Sequence, residues 1–406
     1  MRRAKALLLL TLILSQCLFL SGCLSPVQLN RQAIVQGIGI DYQNGKYRLT
    51  FQVFSPSGSS GGSNIGTYAD NAKLISSEGA SVSEAVQNGV RVQGKELFIG
   101  QNRIIIIGLE AAKHDLTETV SYLGTNAASR QNAHVVLSAT TAEEVMSMRI
   151  NQGILPAEAL DRITENARES GLSPSIRLFE LRKMLDTRHE SAFLPILSIM
   201  QEAKPASAGQ GEGEGEGDSG SQTLEQISPF EISETAVFSN NIFRGTLDKE
   251  QTRGMMWIRG EVENTSIQLS PAKGGSASAH VYRADSKLIP RKSTDKPEFD
   301  LTISCWATKQ DSTSAEAVYP NEDTLLADME KAAEETIRQE CEAAFTGGSQ
   351  KLLCDFLNFG NILWQKNPNL FYTLRDDWDN ALSDVILNVE VDVQIDRTGM
   401  EYGYED

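Results

Sequence analysis

The chain has few of the side chains that usually carry out enzyme chemistry. Its 406 residues include only 4 histidines and 5 cysteines. The histidines are His114, His134, His189 and His280, and no two of them have the spacing of metal ligands on a helix. The sequence also contains no His-Glu-x-x-His and no Gly-x-Ser-x-Gly motif. We therefore predict that the protein is not an enzyme, with no catalytic residue, no cofactor-binding residue and no metal site.

Weaker patterns have plainer interpretations. The segment GIGID at 37–41 resembles part of a nucleotide-binding loop, but it lacks the third glycine and the following helix. We interpret its glycines as strand residues that permit a close approach, and His134 as a core residue with satisfied hydrogen bonds. The acidic pairs at 334–335 and 376–377 are predicted to be solvated. A set of aromatic residues is predicted to pack in the core, with a sugar-stacking platform as the alternative. This set comprises Phe356, Phe359, Trp364, Phe371, Tyr372 and Trp378.

Basic residues are scarce relative to acidic ones. The chain has 37 Lys and Arg against 54 Asp and Glu, which gives a formal net charge of −17. Such a surface predicts no binding to nucleic acid and no general adhesion to anionic lipid by charge. Attachment to a membrane would then require a covalent anchor.

Long hydrophobic runs are absent except at the N-terminus. Three basic residues precede an apolar core of about 15 residues, which is shorter than the roughly 20 needed to span a bilayer. This pattern predicts a signal peptide over residues 1–22. It ends in Leu20-Ser21-Gly22-Cys23, which looks like a bacterial lipobox. From this lipobox we predict that Cys23 carries a diacylglyceryl group and an N-acyl chain. The two chains of the diacylglyceryl group already anchor stably, whereas a single chain would not. A plain signal peptide or an N-terminal anchor helix is the alternative.

The cysteines beyond the N-terminal segment do not suggest a disulfide framework. They are Cys305, Cys341 and Cys354, an odd number. Cys305 falls in an apolar strand pattern and Cys341 on the apolar stripe of a helix, so we predict buried thiols. The sequence leaves open whether one pair is bridged.

Alternating strand and helix patterns predict a mixed α/β (α+β) fold with sheets flanked by helices, in three domains. We assign residues 23–200 to an N-terminal α/β domain with a helical part at 154–190. Residues 201–228 are rich in Gly and Glu, and such a composition cannot form a packed core. We therefore assign them to an acidic, disordered linker. Calcium binding is the alternative for this segment, because carboxylates alternate with glycine. Calcium-binding repeats, however, use aspartate and an apolar anchor residue, and the Gly-Glu repeat provides neither. A middle domain is predicted at 229–295, and a C-terminal domain with a long helix and a final strand at 296–406.

Local patterns predict individual elements. Asn44-Gly45 is a two-residue turn signal between two strands, and a helix is expected at 174–187. The long helix is expected at 322–345, with one apolar stripe, Asn321 as its cap and Gly347-Gly348 as its stop. A further helix is expected at 350–364. The final strand alternates apolar and polar residues, which predicts one buried and one solvated face.

Several segments together resemble a known family. The lipobox with VQLNRQAIVQGIGID, the segment TAVFSNNIFRGTLDKEQTRGMMWIRGEV and the segment NPNLFYTLRDDWDNALSDVILNVEVDVQIDRTG are similar to those of the Ger(x)C family. Members are the lipoprotein C subunits of spore germinant receptors in endospore-forming bacteria. The resemblance implies three α/β domains on a lipid anchor at Cys23. It also implies a complex with two integral membrane subunits on the extracytoplasmic face of the spore inner membrane.

The function expected from this resemblance is that of a non-enzymatic receptor subunit that helps nutrients trigger germination. The alternative is a solute-binding lipoprotein of a transporter, which would need two similar α/β lobes around a ligand cleft. A cell-wall hydrolase would need a carboxylate or histidine constellation that the sequence does not offer.

Overall fold

A computed structural model of the chain describes residues 31–55, 72–148, 155–187, 190–200, 230–292, 296–316 and 318–396. The described part begins with a β-hairpin made of β1 (Gln32–Gln43) and β2 (Lys46–Phe54). Asn44 and Gly45 form its turn with φ values of 53° and 75°. Asparagine and glycine tolerate these left-handed angles better than other residues, so the predicted two-residue turn is confirmed.

The hairpin belongs to a nine-stranded sheet with the strand order β3-β2-β1-β5-β6-β7-β8-β9, in which β4 pairs with the start of β1. Strands β1, β5, β6 and β7 are parallel neighbours, and antiparallel strands lie on both sides of them. The remaining strands are β3 (Ala72–Gly79), β4 (Glu96–Phe98), β5 (Ile104–Gly108), β6 (His134–Ser138), β7 (Ala192–Ile199), β8 (Phe230–Ser239) and β9 (Ile242–Leu247).

Five helices cover the two faces of this sheet. They are α1 (Val82–Gln93), α2 (Leu109–Thr125), α3 (Ala142–Ser147), α4 (Pro156–Glu169) and α5 (Leu178–Asp186). Ile104 and Ile106 of β5 pack with α3 and α4, whereas Ile105 and Ile107 pack with the other three helices. Because both faces are covered, β5 is apolar at every position and does not alternate.

The second sheet has four strands in the order β10-β11-β12-β13, with β12 and β13 parallel. Its strands are β10 (Thr265–Leu269), β11 (Ala277–Pro290), β12 (Glu298–Asp311) and β13 (Ile386–Asp396). The helices of this half are α6 (Lys249–Arg259), α7 (Thr313–Glu316), α8 (Glu322–Ala343), α9 (Phe359–Lys366), α10 (Pro368–Leu374) and α11 (Trp378–Ser383). In the second half of β13, buried valine and isoleucine alternate with exposed polar residues, so the predicted one-sided burial is confirmed.

Helix α8 packs against both α6 and β13. Asn321 caps it by accepting a hydrogen bond from the Thr324 amide, as the sequence predicts. The predicted stop at Gly347-Gly348 is wrong, because the chain continues as a π-helix over Ala344–Gln350.

The predicted helix at 350–364 is also wrong, since α9 begins only at Phe359. Leu353 and Asn358 have positive φ values of 53° and 68°. A right-handed helix cannot continue through residues with such angles, so the segment between them is not helical. The helix predicted from residue 174 begins at Leu178. Its predicted first turn is instead extended chain, because Arg177 forms a β-bridge with His134.

Strands β8 and β9 follow the predicted linker in sequence but extend the nine-stranded sheet. The fold is therefore mixed α and β with two sheets flanked by helices, as predicted. The division into three domains stays a prediction, as does the acidic linker, whose residues 201–228 lie outside the described part.

Candidate functional site

Cys23, the predicted lipidation site, lies outside the described residues, together with the whole predicted signal peptide. Within the described residues, no helix combines the length and the apolar character needed to cross a bilayer. The acyl anchor therefore stays a prediction.

The GIGID segment forms the centre of β1, where its glycines serve packing. A Cβ atom added at Gly37 would lie 3.0 Å from the Ala157 Cβ, and one added at Gly39 would lie 3.1 Å from the Ala142 Cβ. The segment therefore lets α3 and α4 lie close to the strand, as the strand pattern predicts.

Asp41, the last residue of that segment, caps a helix that begins 101 residues later in the chain. Its two carboxylate oxygens accept hydrogen bonds from the Ala142 and Glu143 amides at 2.8 and 2.9 Å. Burial raises the pKa of the Asp41 carboxyl, and the two amide donors oppose that rise. This long-range cap was not predicted, because its partner lies far away in sequence.

His134 is buried at the start of β6 and faces α4. Its Nδ1 lies 2.6 Å from Asp161 Oδ1 in a hydrogen bond. Its Nε2 lies 3.2 Å from Glu165 Oε2, in a geometry that makes no hydrogen bond. Arg177 and Arg103 lie near the same carboxylates, at 3.5 and 3.7 Å. The expected core histidine is found, but only its Nδ1 forms a hydrogen bond, so the prediction of satisfied hydrogen bonds holds for one ring nitrogen and not for the other. No nucleophile stands beside it in the described contacts.

The three described cysteines are free and buried. Burial raises the pKa of the Cys305 thiol to about 12 and that of the Cys354 thiol to about 12. The pKa of the Cys341 thiol is also raised by burial. A thiol at these pKa values is almost fully protonated near neutral pH, so none of the three has the character of a nucleophile or a metal ligand.

The predicted aromatic core set divides into two groups. Four members are buried, while Trp364 and Tyr372 are half exposed, at 50% and 53%. Phe359 packs against Phe299 and Phe345, and Phe371 packs against Trp378. The prediction of core packing is confirmed for these four and is wrong for Trp364 and Tyr372. The four are Phe356, Phe359, Phe371 and Trp378.

Asp355 stands inside this aromatic group and was not predicted as a site residue. Its carboxylate accepts hydrogen bonds from the Phe359 and Gly360 amides at 2.8 and 2.7 Å, and from Trp378 Nε1 at 3.2 Å. Burial raises the pKa of this carboxyl to about 6, although the three donors favour its charged form. Asp355 is thereby the N-terminal cap of α9 as well as a buried acid.

A polar cavity of about 400 Å³ opens beside Asp355. Its walls come from the end of α5, the start of β7, the β8–β9 turn and the segment around α11. Acidic side chains predominate, including Asp186, Glu190 and Asp379, with Arg375 as a cationic member. Asp376 and Asp377 are exposed at its rim, and Glu335 is exposed on α8, where it contacts Arg338. Glu334 is half exposed, so the acidic pairs lie in contact with solvent as predicted.

No group of three or more histidine, cysteine or carboxylate side chains suited to a metal ion occurs in the described part of the chain. The described buried carboxylates are instead engaged by amides, by an indole or by basic side chains. These contacts stabilise the fold, and the buried carboxylates that the structure describes are not assembled with a base and a nucleophile.

Two family models match both halves of the chain. Residues 25–199 match the family described as spore germination protein N-terminal domain, and residues 233–399 match the one described as spore germination B3/GerAC like, C-terminal. Together these matches cover most of the chain, so the chain belongs to this Ger(x)C family of spore germination proteins.

Individual relatives match over nearly their whole length. The chain is 23% identical to spore germination protein KC of Bacillus subtilis (strain 168), over 97% of this chain and 96% of that protein. It is 20% identical to the putative spore germination protein YfkR of the same strain, over 95% of each chain. The crystal structure of the GerBC protein has the same fold, with a TM-score of 0.55, 13% identity and coverage of 88% of this chain and 96% of that one.

Proposed function

We propose that this protein is a non-enzymatic, lipid-anchored subunit of a nutrient germinant receptor. In this role the acyl chains on Cys23 hold it on the extracytoplasmic face of the spore inner membrane. Its body contacts two integral membrane subunits and helps them convert nutrient binding into germination.

The observation that carries this proposal is the match of both halves of the chain to spore germination families. The organisation of the polar residues is consistent with it. His134, Asp41 and Asp355 are each engaged by helix ends or by neighbouring side chains, so they serve the fold. A protein of this kind would then act by binding its partners through its surface.

The alternative of a solute-binding lipoprotein has less support. That class needs two similar lobes, whereas the nine-stranded and four-stranded sheets differ in size and strand order. Isothermal titration of the purified chain with amino acids and sugars separates the two functions. Micromolar binding by this chain alone would favour the transport role over the receptor role.

The anchor is tested by a Cys23→Ala variant expressed in the spore-forming host. We expect the variant to leave the membrane fraction, because without acyl chains the described body has no spanning helix to hold it. Cys17→Ala is the matched control, since Cys17 falls within the predicted signal peptide and should not affect retention. Equal membrane retention of both variants would contradict the anchor.

Complex membership is tested by affinity purification of a tagged chain from spore membranes in mild detergent. We expect two integral membrane proteins to co-purify in constant proportion. Spores that carry the Cys23→Ala chain should also lose much of their response to nutrients, measured as the fall in optical density. The receptor role would be ruled out if the chain purified without membrane proteins and if spores that lack the chain still responded normally to nutrients.

A further inference from the structure

One end of the four-stranded sheet carries a groove of about 640 Å³ that the proposed function does not explain. The groove lies between the end of β11 and the corner that joins α9 to α10. Ile289 and Lys292 lie on one side of it, and Lys366 and Leu370 lie on the other. We refer to it below as the Lys292–Lys366 groove.

Large apolar side chains are exposed on the elements that form this groove and on another strand of the same sheet. Ile289 is 43% exposed within it, and Trp364, two residues before Lys366, is 50% exposed. Tyr372 of α10 is 53% exposed. Ile386 is 45% exposed at the start of β13. It lies at the same end of the sheet, because it pairs with Glu298, whose carbonyl accepts the Arg291 amide.

The cations of the groove stand out on so acidic a chain. Arg291 is engaged by Glu298 and Asp300 at 2.8 and 2.7 Å. Lys292 and Lys366 are exposed, and neither has an ion-pair partner among the residues that the structure describes. These two lysines without ion pairs lie on, or just after, elements that also expose aromatic and branched residues, on a chain of net charge −17. That combination fits an anionic surface with an apolar interior.

A phospholipid bilayer is such a surface. Its phosphates attract lysine, and tryptophan and tyrosine favour the level of the headgroups, where an apolar ring and a polar edge are both accommodated. We infer that the Lys292–Lys366 groove rests on an anionic phospholipid surface, with the two lysines at the phosphates and Trp364 among the headgroups. The ligand class is the phospholipid headgroup with its adjoining acyl region.

This contact orients the protein and does not hold it there. Each lysine near an anionic bilayer strengthens binding roughly fivefold, which is far too little to retain an acidic chain alone. The inference therefore rests on the proposed function for proximity to the membrane. Cys23 and Arg31 are eight positions apart, so a tether at Cys23 would keep the start of β1 within about 30 Å of the bilayer. The groove would then decide which face of the tethered body meets the lipid.

The test uses the full acylated chain in vesicles of equal parts phosphatidylglycerol and brominated phosphatidylcholine. Bromine near the headgroups quenches only tryptophans that reach them. The other three tryptophans are buried or half-buried, so the difference between the native chain and Trp364→Phe isolates the signal of Trp364. We expect clear quenching in the native chain and its loss in Trp364→Phe.

Charge recognition is tested with Lys292→Gln/Lys366→Gln, which should weaken the contact roughly tenfold or more and reduce quenching. The matched control is Lys46→Gln/Lys331→Gln, which changes the net charge equally at exposed positions outside the groove and should leave quenching unchanged. Equal tryptophan quenching in the two double variants would overturn the assignment of the lysines. Quenching of the native chain that is unchanged on vesicles without phosphatidylglycerol would overturn it as well.

A chain that stays on the vesicles with Trp364 unquenched would overturn the whole inference while leaving the tether intact. An acidic protein surface would then be the remaining occupant of the groove. A chain that does not stay on the vesicles at all would instead contradict the proposed anchor, so the two failures are distinguishable.

Discussion

Ser191 and Asp355 are 164 residues apart and join the two halves of the chain through paired hydrogen bonds. The Asp355 amide donates to Ser191 Oγ at 2.7 Å, and the Ser191 amide donates to the Asp355 carbonyl at 3.3 Å. Ser191 directly precedes β7 in the nine-stranded sheet, whereas Asp355 caps α9 beside the second sheet. Both residues are buried, so these bonds form away from water. The two family regions thus share a polar junction as well as an apolar core.

The first prediction concerns that junction. Ser191→Ala should lower the free energy of unfolding by about 1–3 kcal/mol, because it leaves the buried Asp355 amide without its acceptor. Urea denaturation measures the change, and hydrogen exchange at the Asp355 amide should accelerate. Ser121→Ala, at an exposed site on α2, is the control and should be nearly neutral. An unchanged exchange rate at Asp355 would mean that the bond contributes nothing to the junction.

The second prediction is a pH dependence that originates at Asp355. Because burial raises its pKa from 3.8 to about 6, the folded state favours the protonated acid. The stability contribution of this group is therefore fully present below about pH 4 and is lost as the pH rises through about 6. A shift of about two units corresponds to about 3 kcal/mol.

Asp355→Asn removes this titration, so the difference in unfolding free energy between the native chain and the variant should change between pH 4 and pH 7. The native chain should lose stability relative to the variant over that interval. Asn lacks the second acceptor oxygen, so we expect it to be the less stable of the two near pH 4. A pH-independent difference would show that Asp355 has an ordinary pKa in the folded chain.

The third prediction concerns the contact between α6 and α8. A Cβ atom added at Gly254 would lie 1.8 Å from the Glu340 carbonyl oxygen, so the two helices touch through the bare backbone. Gly254→Ala must push them apart, with a loss of about 3 kcal/mol or more, in the range of severe overpacking. Differential scanning calorimetry should show a large fall in Tm.

Gly94→Ala provides the comparison for this variant. Gly94 has a φ of 66° and no atom within 4 Å of an added Cβ, so alanine there costs only the left-handed backbone, about 1–2 kcal/mol. Gly254 lies within α6 and its φ is not positive. A loss no larger than that of Gly94→Ala would therefore mean that the two helices accommodate the added methyl group easily, and their contact would not explain the glycine at 254.

Features set by neighbouring residues were predictable from the sequence. The turn at Asn44-Gly45, the cap at Asn321 and the apolar stripe of α8 each depend on residues a few positions apart, and all are confirmed. The glycines of β1 were interpreted correctly for the same reason, because a strand pattern surrounds them.

Features that depend on distant partners were missed. The residues around Asp355 give no sign of its hydrogen bonds with Ser191 and Trp378. Likewise, the residues around Asp41 give no sign of its hydrogen bonds with the start of α3. Gly347-Gly348 gave a false stop, because tertiary packing outweighs the low helix propensity of glycine. Gly348 lies against Phe356 and Leu247, where a side chain would not fit. Strand β3 was missed as well, and its residues gain their pattern only from pairing with β2.

The number of reactive thiols should show whether Cys23 is acylated. Cys305, Cys341 and Cys354 are buried with raised pKa values, so a thiol reagent at pH 8 should modify none of them until the chain unfolds. If Cys23 is acylated through its sulfur, the mature chain purified from membranes should show no rapidly reacting thiol in the native state and three in urea. A fourth thiol that reacts rapidly in the native chain would indicate that Cys23 is free. Cys341→Ser should lower the count in urea to three in that case and to two otherwise, which verifies that the counting is complete.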